Sequence, residues 1–174
     1  MQVRQFMRYN LLAIDPEESL ENLVKHYDML TVKSRLTYVT SEGKVLIGVI
    51  SMFDIITSCL PLDMEHATPA QLVERAGVVK KLRAKDIMTS RFLGLKAEES
   101  ILTAASLIQR HHLTALPVLD EQGRLMGEVT RRTVLEFITD LMRAHERASA
   151  ADKAAMGIFS PRDLLAANMA GISI

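Results

Sequence analysis

Hydrophobic positions along the chain follow two patterns that alternate. Short apolar runs, such as the one at 115–119, are typical of buried strands, whereas in longer stretches such as 98–112 the apolar residues recur at helical spacing. The second half therefore predicts strands at 92–95, 115–119 and 124–129 and helices at 98–112 and 131–143. The first half predicts the same order, with strands near Leu11, Leu36 and Val45 and helices at about 17–30 and 52–59. Each half is thus predicted as strand, helix, strand, strand, helix, a mixed α+β class of fold.

The two halves are also similar in sequence. The segment FMRYNLLAIDPEESL, from Phe6, returns without a gap as IMTSRFLGLKAEESI, from Ile87. Farther on, EGKVLIGVISMFDII returns as QGRLMGEVTRRTVLE, which brings Gly48 and Gly127 into register. The chain is therefore a tandem duplication with a period of about 80 residues.

The repeats leave a linker and a tail. We assign 1–62 to the first repeat, 63–84 to a connecting segment, 85–145 to the second repeat and 146–174 to a helical C-terminal extension. In the connecting segment, Thr68 is placed to cap a short helix, Pro69 occupies its first position and Gly77 is expected to end it. In the extension the composition becomes rich in alanine, and a new helix start is expected at Ser160. Apolar residues after that start indicate that the extension docks on its own domain or on a second subunit, namely Leu164, Leu165 and Met169.

The composition argues against several classes of protein. Hydrophobic residues make up 48% of the 174 positions, enough to bury a core, and the 21 basic and 21 acidic residues leave a formal charge of +0. Without a broad positive field, nucleic acid is a poor candidate partner. No apolar run approaches a membrane span or a signal peptide, and the single cysteine, Cys59, lies among apolar residues as a reduced core thiol would. We therefore expect a cytoplasmic protein that is neither exported nor embedded in a membrane.

Each repeat ends with a strand that carries a glycine and then a hydroxyl residue at a helix start. In the first repeat these positions are Gly48 and Ser51, followed by Asp54, and in the second they lie in GEVTRRT from Gly127. The first N–H groups of a helix are unpaired and suit a phosphate or a sugar, and a carboxylate one turn in can accept both hydroxyls of a ribose. Glycine before it would let a ligand lie against the backbone. The alternative is that Ser51 and Asp54 only cap the helix and that Gly48 only accommodates a tight strand.

Together with DIMT at 86–89 and LPVLD at 116–120, these segments resemble a stand-alone tandem pair of CBS domains over roughly residues 3–143. The resemblance implies an α+β fold in which two β-α-β-β-α repeats pack as a pseudo-two-fold pair. It implies no catalysis and no catalytic cofactor, but an adenine nucleotide (AMP, ADP or ATP) or a related adenosyl ligand held in the cleft between the repeats. The main site implied for this chain consists of Gly48, Val49, Ser51, Asp54, Leu93, Gly94, His112, Thr114, Ala115, Leu116, Pro117 and Arg132.

Within the family, a nucleotide held by the Asp of one repeat also touches the other repeat. The resemblance therefore assigns the ribose to Asp54 and places the adenine between 93–94 and 114–117. His112 and Arg132 fall where basic residues often contact phosphate, because a polyphosphate needs counter-charge. Each has a simpler alternative: Arg132 as a solvated charge on a helix, and His112 as a group that bonds carbonyls at a helix end.

The symmetry-related site departs from the family pattern. Thr133 stands where the ribose-binding Asp would be, and Tyr38 stands where the second repeat has Pro117. A hydroxyl cannot replace a carboxylate that accepts two hydrogen bonds. We therefore expect a second site that is weaker or empty, built from Leu12, Ala13, Arg35, Thr130 and Thr133.

Three functions remain open. The first is a regulatory energy sensor, a homodimer in which the ligand shifts the relative orientation of the repeats and so acts on a client protein that the sequence does not identify. The second is a constitutive scaffold whose cleft is closed by side chains and whose helix at Ser160 makes the main contact. The third is a divalent-cation sensor, which has less support because acidic residues are not clustered.

The sequence offers no motif for a structural metal site or for catalysis. His111 and His112 point about 100 degrees apart on a helix and indicate no metal site. No nucleophile motif or Gly-rich phosphate loop supports catalysis.

Overall fold

The protein is described by a computed structural model over residues 1–29 and 36–155. The chain divides into two compact units, Met1–Val134 and Leu135–Ile174. Both three-stranded sheets described below belong to the first unit.

The first repeat forms a three-stranded sheet with a helix after its first strand and another after its last. Strand β1 (Leu12–Ile14) pairs in parallel with β2 (Leu36–Thr40), which pairs antiparallel with β3 (Leu46–Ser51). Helix α1 (Leu20–Met29) follows β1, and helix α2 (Met52–Cys59) follows β3. The predicted order of elements is confirmed here, and the predicted helix at 52–59 has the bounds of α2.

Two helices connect the repeats, α3 (Pro69–Val79) and the short α4 (Ala84–Ile87). The predicted cap of α3 is confirmed, because Thr68 Oγ1 accepts from the N–H of Gln71 and Pro69 is the first helical residue. The prediction that Gly77 ends the helix was wrong, since α3 continues to Val79 and its C-cap is Lys80. A glycine ends a helix by adopting a positive φ, and Gly77 keeps a negative one.

The second repeat has the same plan. Strand β4 (Leu95–Lys96) pairs in parallel with β5 (Ala115–Leu119), which pairs antiparallel with β6 (Leu125–Thr130). Helix α5 (Ile101–His111) follows β4, and helix α6 (Arg131–Ala155) follows β6. Each β2–β3 or β5–β6 pair has one register shift, between Val39 and Thr40 in the first repeat and between Val118 and Leu119 in the second. The two repeats therefore share even this register shift, at equivalent positions of their sheets.

Several predicted boundaries in the second repeat were wrong. The first strand was predicted at 92–95, but only Leu95 and Lys96 pair with β5. Helix α5 starts three residues later than predicted, because Ser100 is its N-cap and accepts from the N–H of Leu102. Helix α6 does not end at 143 but continues through an alanine-rich stretch, as the high helix propensity of alanine allows. The predicted start of the C-terminal extension at 146 falls inside α6 and stays a prediction, and the expected helix start at Ser160 lies outside the described residues.

The segment that begins each repeat crosses to the sheet of the other repeat. Arg8 pairs antiparallel with Glu128 of β6, with both N–O distances at 2.9 Å. Thr89 pairs in the same way with Val49 of β3, at 2.9 and 3.0 Å. The two repeats are therefore joined by backbone hydrogen bonds at equivalent points.

Buried apolar side chains fill the first repeat and the space between the two sheets. The cluster within the first repeat centres on Leu20, Leu23 and Ile50, which are almost fully buried. A second cluster joins the repeats and contains Leu36, Tyr38, Leu46 and Ala115, with Val49, Phe92, Leu119 and Leu125 packed against it. Residues predicted for one ligand site, Val49 and Ala115, thus share one core.

Candidate functional site

The carboxylate of Asp54 lies in the first turn of α2, where β3 ends. The backbone N–H and the hydroxyl of Ser51 each donate to Asp54 Oδ2 at 2.7 Å, and the N–H of Asp54 donates to Ser51 Oγ at 3.2 Å. This reciprocal pair is a capping box, so the capping role considered from the sequence is present. The cap uses only Oδ2. No donor from the described part of the chain bonds Oδ1, and Asp54 is only half-buried, so Oδ1 can accept from a ligand hydroxyl.

Two hydroxyl side chains of the first repeat form a hydrogen-bonded pair. Tyr27 on α1 and Thr37 on β2 share a hydrogen bond of 2.8 Å, and Thr37 is fully buried. Burial is the main cause that raises the pKa of Tyr27, and the negative charges of Asp54 and Glu128 raise it further, whereas the bond with Thr37 lowers it. The phenol therefore stays neutral and serves as a hydrogen-bonding partner of Thr37.

The equivalent helix start in the second repeat is closed. Thr133 takes the place of Asp54, and its Oγ1 lies 3.0 Å from Thr130 Oγ1 and accepts from the N–H of Thr130 at 3.3 Å. Both threonines are buried, with 5% or less of their surface exposed. Of the other residues predicted for this second site, Leu12 is half-buried, Ala13 is exposed and Arg35 lies outside the described residues. The hydroxyls thus satisfy each other, which supports the expectation of a weaker or empty site.

The role expected for Gly48 needs correction. The sequence suggested that a glycine lets a ligand approach the backbone, but the side chain of Met88 already fills that space. A Cβ added to Gly48 would lie 2.4 Å from Met88 Sδ. The equivalent Gly127 is covered in the same way, by the Arg8 carbonyl and Met7. These glycines therefore admit the crossing segment of the other repeat, and this contact requires their small size.

The residues predicted to lie along the base form one continuous segment. Ala115, Leu116 and Pro117 are buried in β5, whereas Thr114 just before them is half-buried. His112 is the exposed C-cap of α5, with a left-handed backbone at φ 52°. Its expected contact with phosphate stays a prediction.

Two other predicted site residues, Leu93 and Gly94, lie in the loop before β4 and are exposed. A Cβ on Gly94 would lie 3.0 Å from Leu119 Cδ1 and 3.6 Å from the carbonyl of Pro117, so the structure brings Gly94 to the same segment. Arg132 is exposed at the start of α6. Asp54 and this group lie in different repeats, and the buried cluster of Val49 and Ala115 connects them.

A buried pair between the repeats was not predicted. Tyr38 donates a hydrogen bond of 2.7 Å to Glu128 Oε2, and the two side chains are 0% and 4% exposed. Burial raises the pKa of Glu128, while the bond from Tyr38 and the charge of Arg8 lower it in part. The pKa of Tyr38 is raised as well, first by burial and then by the Glu128 charge. The sequence feature that could have indicated this pair is Tyr38, which stands where the second repeat has Pro117. From the sequence alone, this difference predicted only a weaker second ligand site.

Two cavities lie along the connecting helix α3. One, of about 390 Å³, is largely apolar and is lined by residues of α1, α3 and the end of α2, including Val24, Cys59 and Leu72. Another of the same volume has a wall of mixed polar and apolar character and lies between α3 and the segment before it, with His66 and Glu74 in its wall. Within residues 1–29 and 36–155, three His, Cys, Asp or Glu side chains are nowhere grouped to hold a metal ion. The same residues include no helix with the length and apolar character needed to cross a bilayer.

Sequence comparison connects both halves to one family. The family model described as the CBS domain matches residues 3–60 and 84–140. A protein of Methanocaldococcus jannaschii, MJ1426, is 30% identical over 115 residues, which cover 56% of this chain and 68% of that protein. A homoserine O-acetyltransferase of Methanococcoides burtonii is 28% identical over 100 residues, but the match covers only 17% of that enzyme.

Solved structures show the same fold. The structure of CBSX2 in complex with AMP superposes with a TM-score of 0.64 at 24% identity and covers 81% of this chain and 98% of that one. The CBS domain pair of MJ0100, in complex with 5'-methylthioadenosine and S-adenosyl-L-methionine, superposes with a TM-score of 0.60 at 16% identity over 80% of this chain and 97% of that one. The resemblance inferred from the repeats is therefore confirmed, and the chain belongs to the CBS domain family as a tandem pair.

Proposed function

We propose that this CBS pair is a regulatory module that binds an adenine nucleotide, such as AMP, ADP or ATP, with Asp54 as the ribose acceptor. One observation carries the proposal. The Asp54 carboxylate is held rigidly by Ser51 through Oδ2 alone, at a helix start, and Oδ1 accepts no bond from the described residues. A fixed acceptor loses little freedom when it binds a ribose hydroxyl, and the nearby N–H groups of the first turn suit an anion.

The solved neighbours support an adenosyl ligand. CBSX2 binds AMP, whereas the MJ0100 pair binds methylthioadenosine and S-adenosylmethionine. All of these share adenine and ribose, and they differ in the group on the 5' carbon of the ribose, which is a phosphate in AMP and a sulfur group in the other two. The module acts by shape and not by a reaction: the ligand shifts the orientation of the repeats to the extent that it binds one arrangement better than another.

Asp54→Thr is expected to weaken binding of adenine nucleotides by about 10- to 100-fold, because a hydrogen bond to a charged acceptor is worth about 1.5–3 kcal/mol. Threonine is the matched replacement, because Thr133 caps the equivalent helix of the second repeat in this way. Isothermal titration with AMP, ATP and methylthioadenosine measures the loss.

The control is Asp86→Thr. Asp86 also accepts from a backbone N–H in a first helical turn, that of Arg83 at 2.8 Å, but it lies at the start of α4. The control should bind as tightly as the parent protein. Equal affinities for Asp54→Thr and the parent, or no binding of any of the three compounds by the parent, would refute the ribose assignment.

We also propose that the module is a homodimer that uses the outer face of α2. Met52, Phe53, Ile56 and Leu60 lie on or directly after this helix, and each has more than half of its surface exposed. Phe53, Ile56 and Leu60 follow one another at three and four residues, and Met52 lies four residues before Ile56, which places them on one side. So large an apolar patch is typical of an interaction surface. In α6, Leu135, at the repeat position of Ile56, and Met142 are likewise exposed.

Phe53→Glu is expected to turn a dimer into a monomer at micromolar concentration, because a charge at a buried apolar centre of an interface costs about 2 kcal/mol or more. Light scattering after gel filtration gives the mass. Leu62→Glu, at a position that is 94% exposed outside α2, serves as the control and should leave the mass unchanged. A parent protein that is monomeric, or a Phe53→Glu dimer as stable as the parent, would exclude this surface. A dimer that binds no adenosyl compound would instead favour the constitutive scaffold.

A further inference from the structure

Arg131, the first residue of α6, bonds three consecutive carbonyl groups. Its backbone N–H donates to the carbonyl of Thr114 at 3.2 Å. Its side-chain Nε donates to the carbonyl of Leu113 at 2.6 Å, and Nη2 donates to that of His112. One residue therefore holds the whole link between α5 and β5.

The segment 112–114 needs such support. His112 has the left-handed backbone that non-glycine residues rarely adopt, and it terminates α5. The last carbonyls of a helix carry a partial negative charge, which repels an anion. The guanidinium of Arg131 bonds the carbonyl of the C-cap residue His112 and that of Leu113 just beyond it, so its positive charge lies at this helix end and offsets that repulsion.

We infer that Arg131 is a positioning residue of the adenosyl site: it fixes segment 112–114 and neutralises the end of α5, so that a ligand with phosphate groups can lie beside it. The inference rests on the proposed function and makes it more specific. Because the side chain offsets a negative helix end, its contribution must grow with the negative charge of the ligand. Phosphate-bearing nucleotides then gain more from Arg131 than uncharged adenosyl compounds do.

The first repeat carries a different residue at the position of Arg131. Alignment of SMFD with TRRT places Met52 at the position of Arg131, and a methionine side chain cannot donate to a carbonyl. By resemblance, segment 112–114 belongs to the site that Asp54 completes. Arg131, which bonds the carbonyls of this segment, and the Asp54 carboxylate therefore act on the same ligand. The asymmetry of the two repeats in this residue matches their asymmetry in Asp54 and Thr133.

The test compares two variants of Arg131 over three ligands. Arg131→Gln removes the positive charge and keeps one NH₂ group as a donor. Arg131→Lys keeps the charge but loses the planar guanidinium that can bond two carbonyls at once. Arg124→Gln is the matched control, because Arg124 makes an ion pair with Asp120 at the other end of β5, about 13 Å along the strand. Titrations use adenosine, AMP and ATP with the full chain.

For Arg131→Gln we expect a graded loss, smallest for adenosine and about tenfold larger for ATP, as the size of charge effects at helix ends allows. Arg131→Lys should restore part of the ATP affinity, and Arg124→Gln should bind all three ligands like the parent. An equal loss for adenosine and ATP would show a purely structural role and overturn the inference. So would unchanged binding by Arg131→Gln.

Failure of this inference can be told apart from failure of the proposed function. If Asp54→Thr weakens binding and Arg131→Gln does not, only the role of Arg131 is refuted. If the parent binds no adenosyl ligand, the proposed function and the ligand part of the inference fall together. Hydrogen exchange then still tests whether Arg131 fixes segment 112–114. The amides of His112 and Leu113 both donate to the Ile108 carbonyl, and Arg131→Gln must speed their exchange. Unchanged exchange would refute the structural role of Arg131 as well.

Discussion

Tyr38→Phe is expected to lower the free energy of unfolding by about 2–3 kcal/mol near pH 8 and by much less near pH 4.5, because it removes the donor to a buried carboxylate. Tyr38 is 0% exposed and donates to Glu128 Oε2 at 2.7 Å. Above its pKa, Glu128 is ionised inside the protein and needs this bond. When Glu128 is protonated it is neutral, and the missing donor costs less.

The sign of the pH dependence follows from the direction of the shift. The pKa of Glu128 in the folded protein is raised above its ordinary value of 4.5, so the folded state binds more protons than the unfolded state in the interval between the two values. The contribution of Glu128 to stability is therefore complete below pH 4.5 and is lost as the pH rises through the folded pKa. In Tyr38→Phe the folded pKa rises further, and the loss of stability extends to higher pH.

Urea denaturation at both pH values measures these differences. The control background is Glu128→Gln, which keeps a hydrogen-bond acceptor but has no charge to titrate. In that background, Tyr38→Phe should cost about 1 kcal/mol at either pH. A Tyr38→Phe loss that is the same at both pH values with Glu128 present would contradict an ionised Glu128 as the partner of Tyr38.

The second large effect is expected at the glycines where the repeats cross. Gly127→Ala should cost about 2–3 kcal/mol, because the new Cβ would lie 2.9 Å from the backbone oxygen of Arg8 and force the crossing segment away from β6. Gly48→Ala should cost a similar amount for a different reason, since its Cβ would meet the side chain of Met88 at 2.4 Å.

Rescue experiments separate the two cases. Met88→Ala removes the two nearest atoms, Sδ and Cγ, and leaves only Cβ at 3.0 Å, so Gly48→Ala should cost clearly less in that background. Met7→Ala leaves the Arg8 oxygen in place, so Gly127→Ala should remain costly with it. The coupling energy from each double-mutant cycle reports the difference. Equal rescue at both positions would show that the backbone of Arg8 is not the obstacle at Gly127.

The elements of this fold were predicted from the sequence to different degrees. Helix α2 and strand β5 had the predicted bounds, because a hydroxyl cap or a continuous apolar run marks them locally. Strand β4 was misplaced since its two residues are defined by pairing with Val118 and Leu119, which are distant in sequence. The extent of α6 was missed because the expected end rested on a change in composition, and alanine favours a helix.

In the candidate site, too, the residues that interact locally were predicted, and those that bond distant residues were not. Ser51 and Asp54 could be found because capping acts over three residues, and their hydrogen bonds agree with the spacing. Arg131 was overlooked in favour of its neighbour Arg132, since the carbonyls that it bonds belong to residues 17 to 19 positions earlier. Tyr38 and Glu128 are 90 positions apart, and no local pattern connects them.

The amino-acid sequence by itself determined the duplication, the order of strands and helices in each repeat and the difference between Asp54 and Thr133, because periodicity, caps and repeated motifs act over short distances. Only the tertiary structure decided which segment packs against Gly48 and Gly127, which hydroxyl donates to Glu128 and which arginine bonds the carbonyls at the end of α5. These choices depend on how the first segment of each repeat crosses to the other sheet, and such contacts are set by packing in space, which no single stretch of sequence encodes.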